Sequence, residues 1–413
     1  MYNYENLQLE IFKNAKSFIF SFNKSKFLKK KNSIFFLASN FPKNIGFIIL
    51  KKISLNYKFN LRDYIFIIKD IFYSSYYISS TTKLKLKTHF NKIVVSWAFK
   101  ENFNKDGSYN DRYFNINSRK EKKVIWYLVY LDKELPNKID KNIIIYKATN
   151  SGKLNLFNVI LNICSKMNLF FKSPKYFLSS ISSYNFLAEK ISLDFKKFLN
   201  NDISHVLMPF EGQPFQNEVI RTTKNFNKKI KTVGYIHAPP LPVATHYIFK
   251  SFSPDRIIVN GADQLRYFVK FLGWKKNKIK VLKSDRFLKL KKLDYTRKIY
   301  LPISIVSKNF ILRSLNVLIN TKLYNLKGFK IQNHPGAKNS KVNIQLIKEI
   351  KNLIKKNNQS SAATKKKFSI FIGGSGAIIE ALERNLDVIQ ICENPIFEMY
   401  SKKLYNLCKW DIG

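Results

Sequence analysis

The sequence predicts an α/β protein with two Rossmann-like domains, each built on a parallel β-sheet, that face each other across a cleft. Three observations indicate this fold class. Short apolar strands alternate with amphipathic helices from residue 92 onward, which is typical of parallel sheets with right-handed crossovers. A proline-rich segment at 237–242 interrupts that alternation. The length of 413 residues exceeds what a single hydrophobic core usually supports.

The amino-terminal domain is predicted over residues 1–240. Its strands are expected where short runs rich in β-branched and aromatic residues occur, at 92–99, 124–131, 142–146, 203–209 and 232–236. Helices are expected where apolar residues recur at a helical period, at 154–170, 184–200 and 216–227. The pattern over residues 1–60 is mixed and predicts no particular element.

The change of domain is predicted at the prolines. Pro239, Pro240 and Pro242 follow His237 closely, and neither a helix nor a strand can continue through them. A linker is therefore expected at 241–253 and the carboxy-terminal domain at 254–413. The strands of this domain are predicted at 256–260, 278–282, 299–306, 329–332, 368–372 and 387–391. Its helices are predicted at 263–272, 308–320, 342–355 and 377–384.

The charge of the chain is strongly positive, at a formal +46, from 73 Lys and Arg against 27 Asp and Glu. Only ten of the 73 are Arg, whereas proteins that bind nucleic acids enrich Arg because its planar guanidinium grips phosphates and guanine edges. The lysines are spread over every segment, which argues against a nucleic-acid partner. Such a surface suits an anionic membrane, although a codon bias toward Lys, Asn, Ile, Phe and Tyr explains the charge without any partner.

Cysteines and the amino terminus indicate a cytoplasmic protein. Cys164, Cys392 and Cys408 are widely spaced and form no CxxC pair, which argues against a structural zinc site and fits reduced thiols. The first thirty residues lack the uninterrupted apolar core of a secretory signal, and polar residues break the apolar stretch 34–50. We therefore expect a cytoplasmic protein, peripheral on the inner membrane if it binds lipid.

A glycine-rich loop is the first candidate site. Gly373-Gly374-Ser375-Gly376 lies between a predicted strand and a predicted helix, where the glycines allow close backbone approach and the helix end offers N–H groups to an anion. The loop lacks the Lys-Ser/Thr ending of a P-loop, and a tight structural turn is the alternative. Glu380, one turn into the helix, could accept hydrogen bonds from ribose hydroxyls or be an ordinary solvated residue.

Three other residues follow predicted strands and so should point toward the same cleft. His334, followed by Pro335, could donate to a phosphate oxygen or protonate a leaving group, although an ordinary turn histidine is the default for this motif taken alone. Glu211, beside Gly212, could deprotonate an acceptor hydroxyl, although it could equally cap the next helix. His237 is the second candidate base, with a hinge role as the alternative. No DxD pair, GxSxG or HExxH motif occurs, so no metal site is predicted.

The ordered set Glu211-Gly212, His334-Pro335 and Ser375 resembles the motifs of bacterial sialyltransferases and related capsule transferases of the GT-B fold. Segments 208–285 and 106–113 are also similar to surface-carbohydrate biosynthesis proteins. The resemblance spans roughly residues 90–400. The chain departs from the pattern at Phe210, where an acid often precedes the glutamate, and around Ser375, which glycines flank in place of a Ser/Thr pair.

The resemblance implies a metal-independent glycosyltransferase of capsule or lipopolysaccharide assembly. It implies a nucleotide-sugar donor, with CMP-linked donors one candidate, a glycan or lipid-linked acceptor and no further cofactor. The resemblance also implies that Glu211 is the general base, that His334 stabilises the nucleotide phosphate or leaving group, and that Ser375 binds phosphate.

Two other readings stay open. The segment from His237 to Pro240 looks like part of the glycerol-phosphate polymerases of teichoic-acid assembly, which would make His237 the base and a CDP-glycerol-type compound the donor. A non-catalytic protein of carbohydrate assembly, or one that binds nucleic acid, is the alternative from a different class.

Overall fold

The computed structural model describes residues 4–24, 52, 58, 60–74, 77–80, 90–130, 132, 134–149, 156–172, 177–178, 180–282, 296–302, 305, 307–321, 324–334, 337, 340–357, 368–383 and 385–405. Cys408, Pro335 and the apolar stretch 34–50 lie outside these residues. No helix in the described part of the chain is both long and apolar enough to cross a membrane.

Two parallel sheets form the framework. The described strands are β1 (Tyr77–Ser80), β2 (Lys92–Ala98), β3 (Asn110–Asp111), β4 (Ile116–Asn117), β5 (Val124–Tyr130), β6 (Ile143–Thr149), β7 (His205–Pro209), β8 (Lys231–Tyr235), β9 (Arg256–Val259), β10 (Ile279–Val281), β11 (Lys298–Tyr300), β12 (Lys330–Gln332), β13 (Phe368–Ile372) and β14 (Asp387–Ile391). The larger sheet has the order β1-β6-β5-β2-β7-β8-β9-β10, and only β1 runs antiparallel to its neighbour. The smaller sheet, β12-β11-β13-β14, is entirely parallel.

Helices connect the strands, as the alternating pattern predicts. They are α1 (Tyr4–Lys24), α2 (Leu61–Ser74), α3 (Leu156–Ser165), α4 (Met167–Lys172), α5 (Ser183–Phe195), α6 (Pro214–Phe226), α7 (Ala262–Lys270), α8 (Lys308–Asn320), α9 (Lys341–Lys356), α10 (Gly376–Glu383) and α11 (Pro395–Glu398). Most of the predicted helices and strands are confirmed to within about two residues. Strand β11 is shorter than its prediction of 299–306, because Pro302 has no N–H to donate to a sheet.

The larger sheet is buried on both faces, which explains its continuous apolar strands. Every residue of β5 is buried. Ile125, Tyr127 and Val129 belong to the core on one face, while Trp126 and Leu128 belong to the core on the other. Alternation of side chains along a strand produces this division, and strands covered on both sides read as uninterrupted hydrophobic runs.

Each sheet has a topological switch point, the place where the chain stops adding strands on one side of the sheet and begins to add them on the other. In the larger sheet the chain passes from β2 to β5 and β6 on one side, then crosses to β7, β8, β9 and β10 on the other. In the smaller sheet it passes from β11 to β12 on one side and to β13 on the other. Ligands of open α/β sheets bind outside the carboxyl ends of strands at such points. The two places to look for a site are therefore the ends of β2 and β7, and the ends of β11 and β13.

The predicted domain boundary needs correction. The strand β9 follows the proline-rich segment but pairs with β8, and β10 pairs with β9, so neither strand begins a second sheet. The change of sheet falls between Val281 and Lys298, later than the predicted linker at 241–253. Prolines end a strand locally, but they carry no information about which sheet the next strand joins.

The end of the described chain returns to the larger sheet. Tyr405 stacks on Tyr267 of α7, with ring centroids 4.9 Å apart, and both belong to a hydrophobic core that includes strands of the larger sheet. The Gln8 side chain of α1 donates hydrogen bonds to the carbonyl oxygens of Ile396 and Met399. The last described residues and the first helix are therefore held together beside the larger sheet.

Candidate functional site

Glu211 lies at the switch point of the larger sheet, two residues after the end of β7. The turn that carries it is held by the buried Gln216 of α6. The Gln216 side-chain oxygen accepts hydrogen bonds from the backbone N–H groups of Glu211 and Gln213, at 2.9 and 3.1 Å, and its amide donates to the carbonyl oxygen of Pro209 at 2.6 Å. One side chain thus fixes both the end of the strand and the position of Glu211.

Gly212 has a structural reason to follow Glu211. Its φ of 66° lies in the left-handed region that favours glycine. A Cβ at this position would stand 2.5 Å from the carbonyl oxygen of His246. The glycine of the acid–glycine pair is therefore needed for the close approach of two backbone segments.

His237 stands against Glu211. It follows β8, the neighbour of β7, and its Nε2 lies 3.6 Å from Oε1 of Glu211. This is longer than a hydrogen bond but within reach of an ion pair when the imidazole is protonated. The Tyr113 ring meets the His237 ring edge-on at 4.6 Å. The two residues predicted as alternative bases are thus neighbours in one site.

The surroundings of Glu211 favour its uncharged form. Its side chain keeps 28 % of its surface exposed, yet burial of the carboxyl group raises its pKa above the ordinary value. The side chains of Gln213 and Trp97 and the positive charge of Arg112 act in the opposite direction. A carboxylate with a raised pKa takes up a proton more readily, which is the property required of a general base.

A loop after β2 forms the wall of this site, and the buried Asp111 organises it. Its Oδ2 accepts hydrogen bonds from the hydroxyls of Ser96 and Tyr109, at 2.5 and 2.9 Å. Its Oδ1 accepts from the backbone N–H groups of Tyr113 and Phe114, at 2.8 and 2.7 Å. Asp111 therefore fixes the backbone that presents Tyr113 to His237, by a network that no local sequence pattern reveals.

The glycine-rich loop lies at the switch point of the smaller sheet, between β13 and α10. Gly373 adopts a φ of 73° and donates its N–H to the carbonyl oxygen of Ile391 at 2.8 Å. The Ser375 hydroxyl accepts from the backbone N–H of Ala377 at 3.3 Å, as in a helix cap. Its hydroxyl hydrogen can still be donated, so the phosphate-binding role stays a prediction.

The two switch points meet at Gly376. A Cβ on Gly376 would stand 3.1 Å from the carbonyl oxygen of Pro239, two residues after His237. Next to this contact, the hydroxyls of Tyr400 and Tyr405 donate to the carbonyl oxygen of Pro240, at 3.3 and 2.9 Å. The proline-rich segment at 237–242 therefore packs against the glycine-rich loop and the tyrosines that follow α11.

The side chains behind the glycine-rich loop include a buried carboxyl group. Gln390 donates hydrogen bonds to the carbonyl oxygens of Gly373 and Glu398, at 3.0 and 2.7 Å. Burial raises the pKa of Glu398 to about 7, and the negative charge of Glu393 adds to the shift. This carboxyl group is therefore half-protonated near neutral pH.

Glu398→Gln is expected to remove a dependence of stability on pH. Because the folded pKa of Glu398 lies above the ordinary 4.5, stability is highest below pH 4.5, falls as the pH rises to about 7 and stays low above it. The variant should thus be more stable than the original chain at pH 8, by about 2–3 kcal/mol, and nearly equal at pH 5. Thermal unfolding at pH 5 and pH 8 measures the stability of both chains, and a Glu→Gln change at the exposed Glu101 is the control. If the variant differed from the original chain by the same amount at both pH values, the prediction would be contradicted.

The other predicted donor-side residues lie further from the meeting point. His334 follows β12, which β11 separates from β13, so about 10 Å of sheet lies between the two strands. Burial lowers the pKa of His334, which favours the neutral imidazole. Glu380 is half-buried in α10, one turn after Gly376. His334 follows the carboxyl end of its strand, Glu380 lies in the helix after β13, and the ligand contacts of both stay predictions.

Neither protein-family models nor curated proteins match this chain. The function has to be inferred from the residues at the two switch points.

Proposed function

We propose that this protein is a glycosyltransferase of the GT-B type that moves a sugar from a nucleotide-activated donor to a surface polysaccharide or a lipid-linked glycan. The observation that carries the proposal is the meeting of two sites. The pair formed by Glu211 and His237 lies at the switch point of one Rossmann-like sheet. The glycine-rich loop lies at the switch point of the other, and Gly376 is so near Pro239 that a Cβ on the glycine would stand 3.1 Å from the Pro239 carbonyl oxygen.

The acceptor side of the proposed reaction depends on Glu211. An acceptor hydroxyl placed against its carboxylate loses a proton to Glu211 as the oxygen attacks the anomeric carbon of the donor. His237, 3.6 Å away, orients the carboxylate and is the alternative proton acceptor. Because a hydroxyl is a poor nucleophile near neutral pH, a positioned base contributes about a hundredfold to ten-thousandfold.

The donor side depends on the glycine-rich loop. As the bond between the anomeric carbon and the phosphate oxygen breaks, the departing nucleotide gains negative charge. The backbone N–H groups that begin α10, together with the Ser375 hydroxyl, can stabilise that charge if the phosphate lies at the loop. His334 would contribute from the end of β12, two strands away from β13. In this arrangement protein groups stabilise the charge on the leaving nucleotide.

A screen of donors in the presence of EDTA tests the proposal. Purified protein is expected to release free nucleotide from one of the CMP-, UDP-, GDP- or CDP-linked sugars when a glycan acceptor is present, and EDTA should not reduce the rate. In the described part of the chain, no group of three or more His, Cys, Asp or Glu is arranged to hold a metal ion. Loss of activity in EDTA would contradict a metal-independent reaction. If none of these donors released nucleotide, the proposal that the protein is a glycosyltransferase would be contradicted.

One observation favours a second function. His237 lies beside Glu211 and two residues before Pro239, so a polyol-phosphate transferase using His237 as base would fit the same site. Release of CMP from CDP-glycerol, with no release from nucleotide sugars, would establish that alternative.

The proposal includes the cytoplasmic face of the inner membrane as the place of action. A lipid-linked acceptor would bring the protein there, and the formal charge of +46 favours anionic lipid. Co-sedimentation with phosphatidylglycerol vesicles, compared with phosphatidylcholine vesicles, measures this association.

A further inference from the structure

An exposed arginine stands beside the pair formed by Glu211 and His237. The guanidinium carbon of Arg112 lies 4.6 Å from the centre of the Phe99 ring and 5.2 Å from that of Tyr113. Its Nη2 donates to the Tyr113 hydroxyl at 3.1 Å. Since Tyr113 also meets the His237 ring at 4.6 Å, one aromatic ring separates the guanidinium from the catalytic pair.

The position of Arg112 is prepared by the fold. The preceding residue is Asp111, which accepts hydrogen bonds from the hydroxyls of Ser96 and Tyr109 and from the backbone N–H groups of the two residues that follow the arginine. Two aromatic rings then restrict the side chain itself. A guanidinium held in this way loses little conformational entropy when it binds a ligand, which increases the net gain from each new hydrogen bond.

Arg112 has no carboxylate partner among the described residues, unlike Arg119 and Arg221, which form ion pairs with acidic side chains. Its single protein hydrogen bond there is the one to Tyr113. Four of its five N–H groups therefore donate to none of the described residues and can be donated to a ligand. The charge of Arg112 nevertheless reaches Glu211 and stabilises its ionised form.

We propose that Arg112 binds an oxyanion of the acceptor, a phosphate or a carboxylate, and so places the acceptor hydroxyl against Glu211. The planar guanidinium matches two oxygens of such a group, whereas an uncharged sugar offers it only neutral acceptors. The assignment to the acceptor rests on the proposed function, in which the glycine-rich loop on the other sheet holds the donor phosphate. Tyr113 keeps the guanidinium in place.

Binding of small probes tests this site without any turnover. The full-length protein is titrated calorimetrically with glucose 1-phosphate, glucuronate and methyl glucoside. We expect one of the two anionic probes to bind at least tenfold more tightly than methyl glucoside, and the better one distinguishes a phosphate from a carboxylate acceptor. Arg112→Met should abolish that preference, and Arg112→Lys should restore only part of it, because an ammonium lacks the planar pair of donors.

The matched control is Arg256→Met, an exposed arginine at the amino end of β9, on the opposite edge of the same sheet. It should keep the full preference for the anionic probe. Equal binding of charged and neutral probes by the original chain, or an undiminished preference in Arg112→Met, would overturn the proposal. The Glu211→Gln variant should retain probe binding, so failure of the transfer reaction can be told apart from failure of the oxyanion site.

Discussion

Replacing Glu211 with glutamine is expected to lower turnover by about a hundredfold to ten-thousandfold while nucleotide affinity changes by less than about threefold. The substitution removes the proton acceptor but almost no volume. It also leaves the hydrogen bonds of Gln216 to the backbone of the turn in place. Steady-state kinetics with the donor found by the screen gives the turnover, and titration with the matching free nucleotide gives the affinity.

Glu134→Gln is the control for this variant, because Glu134 follows β5 at the same edge of the sheet but is exposed and pairs with Lys100.

The turnover of the unsubstituted chain should fall on the acid side at a pH above 4.5, since Glu211 must be ionised to act and its pKa is raised. Full activity in Glu211→Gln together with its loss in His237→Ala would transfer the role of base to His237 and favour the polyol-phosphate reaction.

The strands and most of the helices could be predicted because their signals are local. Phe368–Ile372 is an apolar run followed at once by a glycine-rich turn, and the structure has a strand with those bounds. The first helix was missed, although Ile11, Phe12, Ala15 and Ile19 form a buried stripe at helical spacing. Frequent lysines and polar residues between those positions hide the stripe from a reading of hydrophobicity alone.

The pairing partners of each strand could not be predicted from the sequence. For that reason the domain boundary was misplaced, and the direct contact between Glu211 and His237 was not predicted. Strand β9 joins the larger sheet through hydrogen bonds to β8, across the prolines. Glu211 and His237 become neighbours because β7 and β8 are adjacent, although the two are 26 positions apart along the chain. Arg112 and Tyr113 reach the site on a loop fixed by Asp111. Each of these contacts depends on distant parts of the chain.

Gly376→Val is expected to weaken binding of the donor nucleotide by at least about tenfold and to lower turnover further. Even the first carbon of a side chain at this position would lie 3.1 Å from the carbonyl oxygen of Pro239, and the two methyl groups of valine need still more room. The glycine-rich loop and the segment after His237 must then move apart. The donor site and the acceptor site both depend on this contact. Nucleotide titration should therefore show the loss of affinity, and steady-state kinetics the loss of turnover.

Gly261→Val supplies a matched comparison for that result. Gly261 also stands between a strand and a helix, β9 and α7, but a Cβ there meets nothing within 4 Å. Both substitutions put a β-branched residue at the start of a helix, so a general effect on helix formation would appear in both variants. Only Gly376→Val should lose nucleotide affinity while its far-ultraviolet circular dichroism stays unchanged. If both variants bind nucleotide equally well, the close approach of Gly376 to Pro239 does not shape the donor site. That result would contradict the proposal that the two switch points together form one active site.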